Sequence, residues 1–256
     1  MTRTLASVIA FSMGVAGVAR ADFITNGGFE TTSSATNGMP NYSGFTINGW
    51  TNQLSGSSGN VGYTFLYRPA SGTSGTSADT TGANGYSGNV KLWGPGTGSN
   101  NGLTLSPNGG NFIASDPNYF PAPLTQNITG LTVGQQYNVS FYWAGAQQSG
   151  FDGATTQWWQ VSLGSQTLST STVSVPSHGF SGWRLATLTF TAQAVNQQLS
   201  FLARGTPSDS NLPPFVLLDG VSMNAVPEPS TVVMVGLGLA GLVGVGIRRR
   251  ARAENA

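Results

Sequence analysis

The stretch Tyr137-Asn138-Val139-Ser140-Phe141-Tyr142-Trp143 decides the fold class. Large apolar side chains fall on the odd positions and Asn138 and Ser140 on the even ones. That two-residue period is the mark of a strand with one face on a core, because successive side chains in a strand point to opposite sides. Residues 157–163 repeat the pattern, with Trp159, Val161 and Leu163 on one face and Trp158, Gln160 and Ser162 on the other. The alternation predicts that Trp143 and Trp159 enter a core while Tyr142 and Trp158 point away from it. Residues 145–156 suit the connection of an antiparallel pair, and any register pairing even with even positions would set Tyr142 beside Trp158. An outward Tyr and Trp on adjacent strands form a candidate platform for a sugar ring, with Asn, Gln and Ser nearby for the hydroxyls. Two other arrangements stay open: a loop over these rings, or a second buried face.

Working outward, short alternating runs separated by Gly, Pro and Asn recur, and residues 22–225 carry no helical period. Strands are expected at 90–93, 111–114, 124–128, 137–144, 157–163, 184–190, 199–203 and 215–223. Residues 71–88, rich in Ser, Gly, Thr and Ala, read as a long loop. The fold class expected is therefore all-β, a sandwich or barrel.

Composition narrows the function classes. Residues 22–225 hold Arg68, Lys91, Arg184 and Arg204 against Asp22, Glu30, Asp79, Asp116, Asp152, Asp209 and Asp219, a balance of 4 − 7 = −3. The whole-chain value of +1 comes from the ends. No basic stripe exists for nucleic acid. The chain has no cysteine, so disulfides and thiolate metal sites are excluded. A surface rich in Ser, Thr, Asn, Gln and Gly suits contact with polysaccharide or a hydrated matrix, and it is equally common among secreted β-proteins.

Both termini read as sorting signals. Residues 1–21 have the form of a secretory signal peptide: Arg3, an apolar stretch over 5–18, then Ala19-Arg20-Ala21, with Ala19 and Ala21 meeting the small-x-small cleavage rule. At the other end, Pro227-Glu228-Pro229 precedes a charge-free run over 231–247, followed by Arg248, Arg249, Arg250 and Arg252. As a helix the run would be roughly 26 Å long, close to the ~30 Å hydrocarbon core. The arginines place the C-terminus in the cytoplasm and residues before 226 outside. The expected organisation is a signal peptide (1–21), a β-domain (22–225) and a sorting tail (226–256) with a single transmembrane helix.

The tail resembles the PEP-CTERM signal of bacterial exported proteins. That resemblance implies a membrane protease of the exosortase type as partner, transient anchoring in the inner membrane, and delivery to the cell surface or extracellular matrix of an exopolysaccharide-producing cell. Asn26-Gly27-Gly28-Phe29-Glu30 with Gly49-Trp50, the run over 124–141, Trp183 to Phe190 and Leu217-Leu218-Asp219-Gly220-Val221 resemble galactose-binding-like jelly rolls, including carbohydrate-binding modules of the family 4/9 type. The resemblance implies a jelly-roll sandwich. It also implies a structural Ca2+ near Glu30 and Asp219, an ion that takes several oxygen ligands. The alternative is ordinary turn or strand-end hydrogen bonding by these acids.

Catalytic constellations are thin. His178 is the sole histidine, in Pro176-Ser177-His178-Gly179, and reads as a solvated turn residue with no nucleophile elbow beside it. Asp116, Asp152 and Asp209 lie among turn formers and mark no carboxylate pair. The expectation is a non-catalytic surface or matrix protein, binding exopolysaccharide through Tyr142 and Trp158. A purely structural matrix protein and a polysaccharide-acting enzyme are the alternatives.

Overall fold

The computed structural model describes residues 22–69, 83–86, 88–208 and 214–227. The described residues form thirteen strands and one 3-10 turn: β1 (Thr51–Asn52), β2 (Thr64–Tyr67), β3 (Ala83–Gly85), β4 (Gly88–Val90), the turn Pro95–Thr97, β5 (Phe112–Ser115), β6 (Leu124–Ile128), β7 (Gln136–Gln147), β8 (Thr155–Leu163), β9 (Gln166–Ser169), β10 (Val173–Val175), β11 (Arg184–Thr191), β12 (Gln197–Thr206) and β13 (Pro214–Ala225). One sheet has the order β1-β6-β12-β8-β10, with β9 also on β8, and the second has β11-β7-β13-β5-β2. All the pairings are antiparallel. The expected all-β sandwich is present as two facing antiparallel sheets.

The alternating strands build the layer between the sheets. Val139, Phe141 and Trp143 of β7 meet Trp159, Val161 and Leu163 of β8, with Phe201 between them, edge-on to both Phe141 and Trp159. Trp143 and Trp159 are both buried, as the alternation requires. The Trp159 indole N–H donates to the Leu217 carbonyl at 2.9 Å, so its one polar atom is satisfied inside the core.

The pairing expected between residues 137–143 and 157–163 is not formed. β7 pairs with β11 and β13, and β8 pairs with β12, β9 and β10, so the two strands face each other across the core. Both strands bury their odd-numbered residues in either arrangement, and the segment between them is long enough to cross from one sheet to the other, about 10 Å away. Tyr142 and Trp158 therefore point out of opposite faces of the sandwich.

Across β2, β5, the end of β7 and the start of β13 the five-stranded sheet is apolar on both sides, whereas the outer face of β11 and of the first half of β7 carries Asn138, Ser140, Leu185, Thr187 and Thr189 and is open. Along Phe215-Val216-Leu217-Leu218, Val216 and Leu218 enter the central core, while Phe215 and Leu217 join Phe65, Tyr67, Phe112, Ala114, Ala144 and Ala146 on the outer face. Continuous apolar runs of this kind are what a strand buried on both faces needs. Met39, Val90, Leu92, Leu103 and Leu105 cover that outer face, with Phe180 and Trp183 packed against it. The Tyr67 hydroxyl donates to the Val90 carbonyl (2.8 Å) and the Trp183 indole to the Thr104 carbonyl (2.9 Å). The stretch expected as loop at 71–88 contributes the β3–β4 ribbon in its described part, and the strand expected at 90–93 ends at Val90, with Leu92 bridging to Gln148.

Candidate functional site

The outer face of the β1-β6-β12-β8-β10 sheet has no apolar cover among the described residues. Its side chains come from the even positions of β8 and β12. Trp158 is the cross-strand partner of Arg204, Gln160 of Leu202, Ser162 of Ser200 and Thr156 of Thr206. Arg204 donates from Nε to Gln160 Oε1 at 2.8 Å, and this contact fixes the guanidinium beside the Trp158 position. The Thr156 and Thr206 hydroxyls share a hydrogen bond. The row continues through Ser200 and Gln198 to Thr125 and Asn127 on β6, then to Thr51 on β1. There Gln53 donates from Nε2 to Thr125 Oγ1 at 2.7 Å beside a cavity of about 230 Å³ lined by Thr51, Gln53, Thr125, Asn127 and Gln198. From Arg204 to Gln198 along β12 this face runs roughly 20 Å. It offers one partly exposed indole, the Leu202 side chain, one cation and many amides and hydroxyls, a set suited to an uncharged polyhydroxylated chain.

Tyr142 lies on the other side. Its cross-strand partners are Leu185 and Asp219, and its ring lies against Gly220, where an added Cβ would come within 3.2 Å of the ring and 3.1 Å of Asn108. Gly220 has φ +59° at the β13 irregularity between Asp219 and Ser222. Strand irregularities of this type re-aim side chains. The two expected platform residues are thus separated by the full sandwich.

Glu30 and Asp219 are brought together, one from the first loop and one from the last strand. Asp219 is fully buried. Its Oδ1 accepts from the Gly220 N–H (2.6 Å) and from Asn108 Nδ2 (3.4 Å), and its Oδ2 from the Ser106 hydroxyl. Burial pushes its pKa up to about 7, and the Glu30 carboxylate adds to the rise against the pull of these hydrogen bonds. Glu30 is exposed and accepts from the Asn111 N–H at 2.6 Å. Gly110, at φ +72°, leaves the space this carboxylate fills: a Cβ there would lie 1.9 Å from Glu30 Oε1. Two neighbouring carboxylates, with the Ser106 hydroxyl and the Asn108 amide on the same loop, fit a hard oxygen-ligated cation. No group of three or more His, Cys, Asp or Glu suited to a metal occurs among the described residues.

The remaining acids and the histidine are more structured than the sequence implied. Asp116, also buried, accepts the N–H groups of Asn118 (2.7 Å) and Tyr119 (3.0 Å) from one oxygen, and burial raises its pKa to about 7. His178 is not a free turn residue. Its ring stacks on Trp93 with centroids 3.9 Å apart and hydrogen-bonds through Nε2 to Asp152. Its carbonyl accepts from Ser99 (2.9 Å) and Asn101 (2.9 Å), so it ties the 176–179 turn to the layer covering the five-stranded sheet. The stacking partner Trp93 sits 85 residues away in sequence, and no local signal reports it. Asp209 lies outside the described residues.

At the C-terminal end, β13 stops at Ala225. The Val226 N–H donates to the Gln136 carbonyl (2.8 Å), and Gln135 Nε2 donates to the Val226 carbonyl (2.6 Å). Pro227 follows, exposed. Glu228, Pro229, the apolar run, Arg248, Arg249 and Arg250, and at the other end Ala19 and Ala21, lie outside the described residues. No helix among the described residues is long and apolar enough to cross a membrane.

Residues 225–250 match the PEP-CTERM protein-sorting motif. No curated protein matches the sequence. Among solved structures, the chain is similar to the enzymatically active domain of bacteriophage CBA120 tailspike protein 4, at 14% identity and TM-score 0.33 over 80% of this chain and 21% of that one, so it spans about a fifth of the tailspike's length. It is similar to the CBM22-1 xylan-binding domain of Paenibacillus barcinonensis Xyn10C, at 9% identity and TM-score 0.31 over 54% of this chain and 81% of that one. It is also similar to the N-terminal cellulose-binding domain of a Cellulomonas fimi β-1,4-glucanase, at 18% identity and TM-score 0.28 over 46% and 80%. Several of its structural neighbours are carbohydrate-binding modules. The chain thus carries a PEP-CTERM sorting motif at its C-terminus, a signal that implies export and processing by an exosortase.

Proposed function

We propose that this is a non-catalytic surface or matrix protein, a jelly-roll module that binds exopolysaccharide on the open face of the β1-β6-β12-β8-β10 sheet. The observation that supports this reading is Trp158, partly exposed on a largely polar, uncovered sheet face opposite Arg204. The indole face stacks on the C–H face of a pyranose ring. The Arg204–Gln160 pair and the hydroxyls and amides toward Thr125 and Gln198 bond the sugar hydroxyls. Tyr142 has no part in this surface. Affinity electrophoresis of the signal-free chain through gels containing the host exopolysaccharide tests it. Retardation of the parent chain, its loss in Trp158→Ala and its retention in Tyr142→Ala are expected. Equal retardation of parent and Trp158→Ala defeats the reading and favours a structural matrix protein.

We further propose that Glu30 and Asp219 hold a structural Ca2+. At pH 8, millimolar calcium then raises the melting temperature of the parent chain and leaves that of Glu30→Gln unchanged. Equal response of the two chains to calcium rules the site out.

A further inference from the structure

We propose that, before the tail is processed, the end of the domain bearing Val226 rests on the outer surface of the lipid bilayer, through the tips Val133 and Val195. The inference rests on residues 231–247 spanning that bilayer, not on glycan binding.

Three observations carry it. First, the fold grips the chain up to the edge of the tail. Val226 is held through its N–H by Gln136 and through its carbonyl by Gln135. Only residues 227–230 separate it from the apolar run. Four residues reach at most about 14 Å when fully extended. The headgroup layer occupies roughly 5–8 Å of that distance. Whichever way the domain tilts, the end bearing Val226 is at the membrane surface.

Second, that end presents apolar tips. Val133 is 58% exposed and Val195 53%. They sit in two turns bonded to each other: the Leu131 N–H donates to the Val195 carbonyl (2.9 Å) and the Gly134 N–H to the Ala192 carbonyl (2.8 Å). The first of these turns closes with the Gln135 N–H on the Thr132 carbonyl, and Gln135 is the residue that holds Val226. The apolar tips and the tail exit therefore form one rigid unit.

Third, the rim around them is uncharged. Residues 129–137 and 190–203 contain no Asp, Glu, Lys or Arg. Two acids lie close to this end: Asp22, whose Oδ1 accepts the Met223 N–H at 2.8 Å, and Glu228 in the tail, two residues after Val226. An isolated pair of valines would bind lipid weakly. On a domain already tethered by its own tail, a weak contact is an intramolecular one and is populated accordingly.

The absence of cysteine from the chain makes the test direct. Val133→Cys, Val195→Cys and, at the opposite end of the sandwich in the hairpin closed by the Leu54–Val61 bridge, Ser57→Cys are each labelled with an environment-sensitive fluorophore. The chain from residue 22 to its end is reconstituted in phosphatidylethanolamine–phosphatidylglycerol vesicles containing spin-labelled lipid. Labels at 133 and 195 are expected to shift to the blue and to be quenched several-fold more than the label at 57. Equal quenching at all three sites overturns the proposal. So does quenching at 133 and 195 that vanishes on carbonate extraction together with the protein, which shows a tail that does not span.

Discussion

The two outer faces of the sandwich have opposite fates, and the difference is written along single strands. β13 reads Phe215-Val216-Leu217-Leu218, apolar at every position, and this part of its sheet is covered on both sides. β8 reads Trp158-Trp159-Gln160-Val161-Ser162-Leu163, apolar on every second position apart from one outward Trp, and its outer face is open. A strand between two layers needs two apolar faces; a strand with water on one side needs one. On the open face two apolar side chains depart from the alternation, Trp158 on β8 and Leu202 on β12, and Trp158 is the aromatic one.

The largest expected effect of a single substitution lies on the covered face. Phe215→Ala removes a fully buried ring between the sheet and its cover and is expected to cost about 3–5 kcal/mol by urea denaturation. A loss under about 1 kcal/mol would mean that the cover is loosely attached and that the two outer faces differ less than they seem to. Next comes acidity. Asp116 and Asp219, both with pKa values near 7 against an ordinary 3.8, are destabilising when ionised inside the fold. Their neutral forms are favoured in the folded state, so the stability they contribute is complete below about pH 4 and is lost as pH rises through 7. The metal-free domain should gain stability from pH 8 to pH 4, by up to about 4 kcal/mol per group. Asp116→Asn, on the covered sheet, should remove its share of that gain while leaving the share of Asp219. A flat profile in the parent would show that neither carboxylate is desolvated. Smaller still is His178→Ala, which takes one ring off Trp93 and should cost about 1 kcal/mol. Trp158→Ala, on the open face, should change stability by no more than about 0.5 kcal/mol while abolishing glycan retention. A stability loss comparable to that of Phe215→Ala would reveal a hidden cover over the open face.

Alternation told which side chains of residues 137–143 and 157–163 turn inward, and Trp143 and Trp159 are where it puts them. It could not tell whether two strands lie side by side or face to face, because either arrangement buries the same residues. That ambiguity produced the Tyr142–Trp158 platform. The covering layer was harder to read. Leu92, Leu103 and Leu105 are isolated among Gly, Asn and Ser, with no period of their own, and they find their partners only through the outward residues of β2, β5 and β13. Asp219 was legible in part. An acid directly after Phe215-Val216-Leu217-Leu218 must be buried and needs donors, yet the identity of those donors, Ser106 and Asn108, depends on a contact across more than 100 residues.

β13 is the last of the described strands and the middle strand of its sheet, flanked by β7 and β5. A polypeptide delivered N-terminus first through a secretion pore presents its central strand last. Until residues 214–225 have emerged, β7 and β5 have no common neighbour, Leu217 cannot accept from Trp159, and Glu30 has no Asp219 beside it. The Asp22–Met223 and Phe23–Met223 contacts close the first residues onto that same strand. On the export route that the sorting motif implies, completion of the fold therefore coincides with emergence of the tail, and any copy truncated before β13 would emerge with its core open.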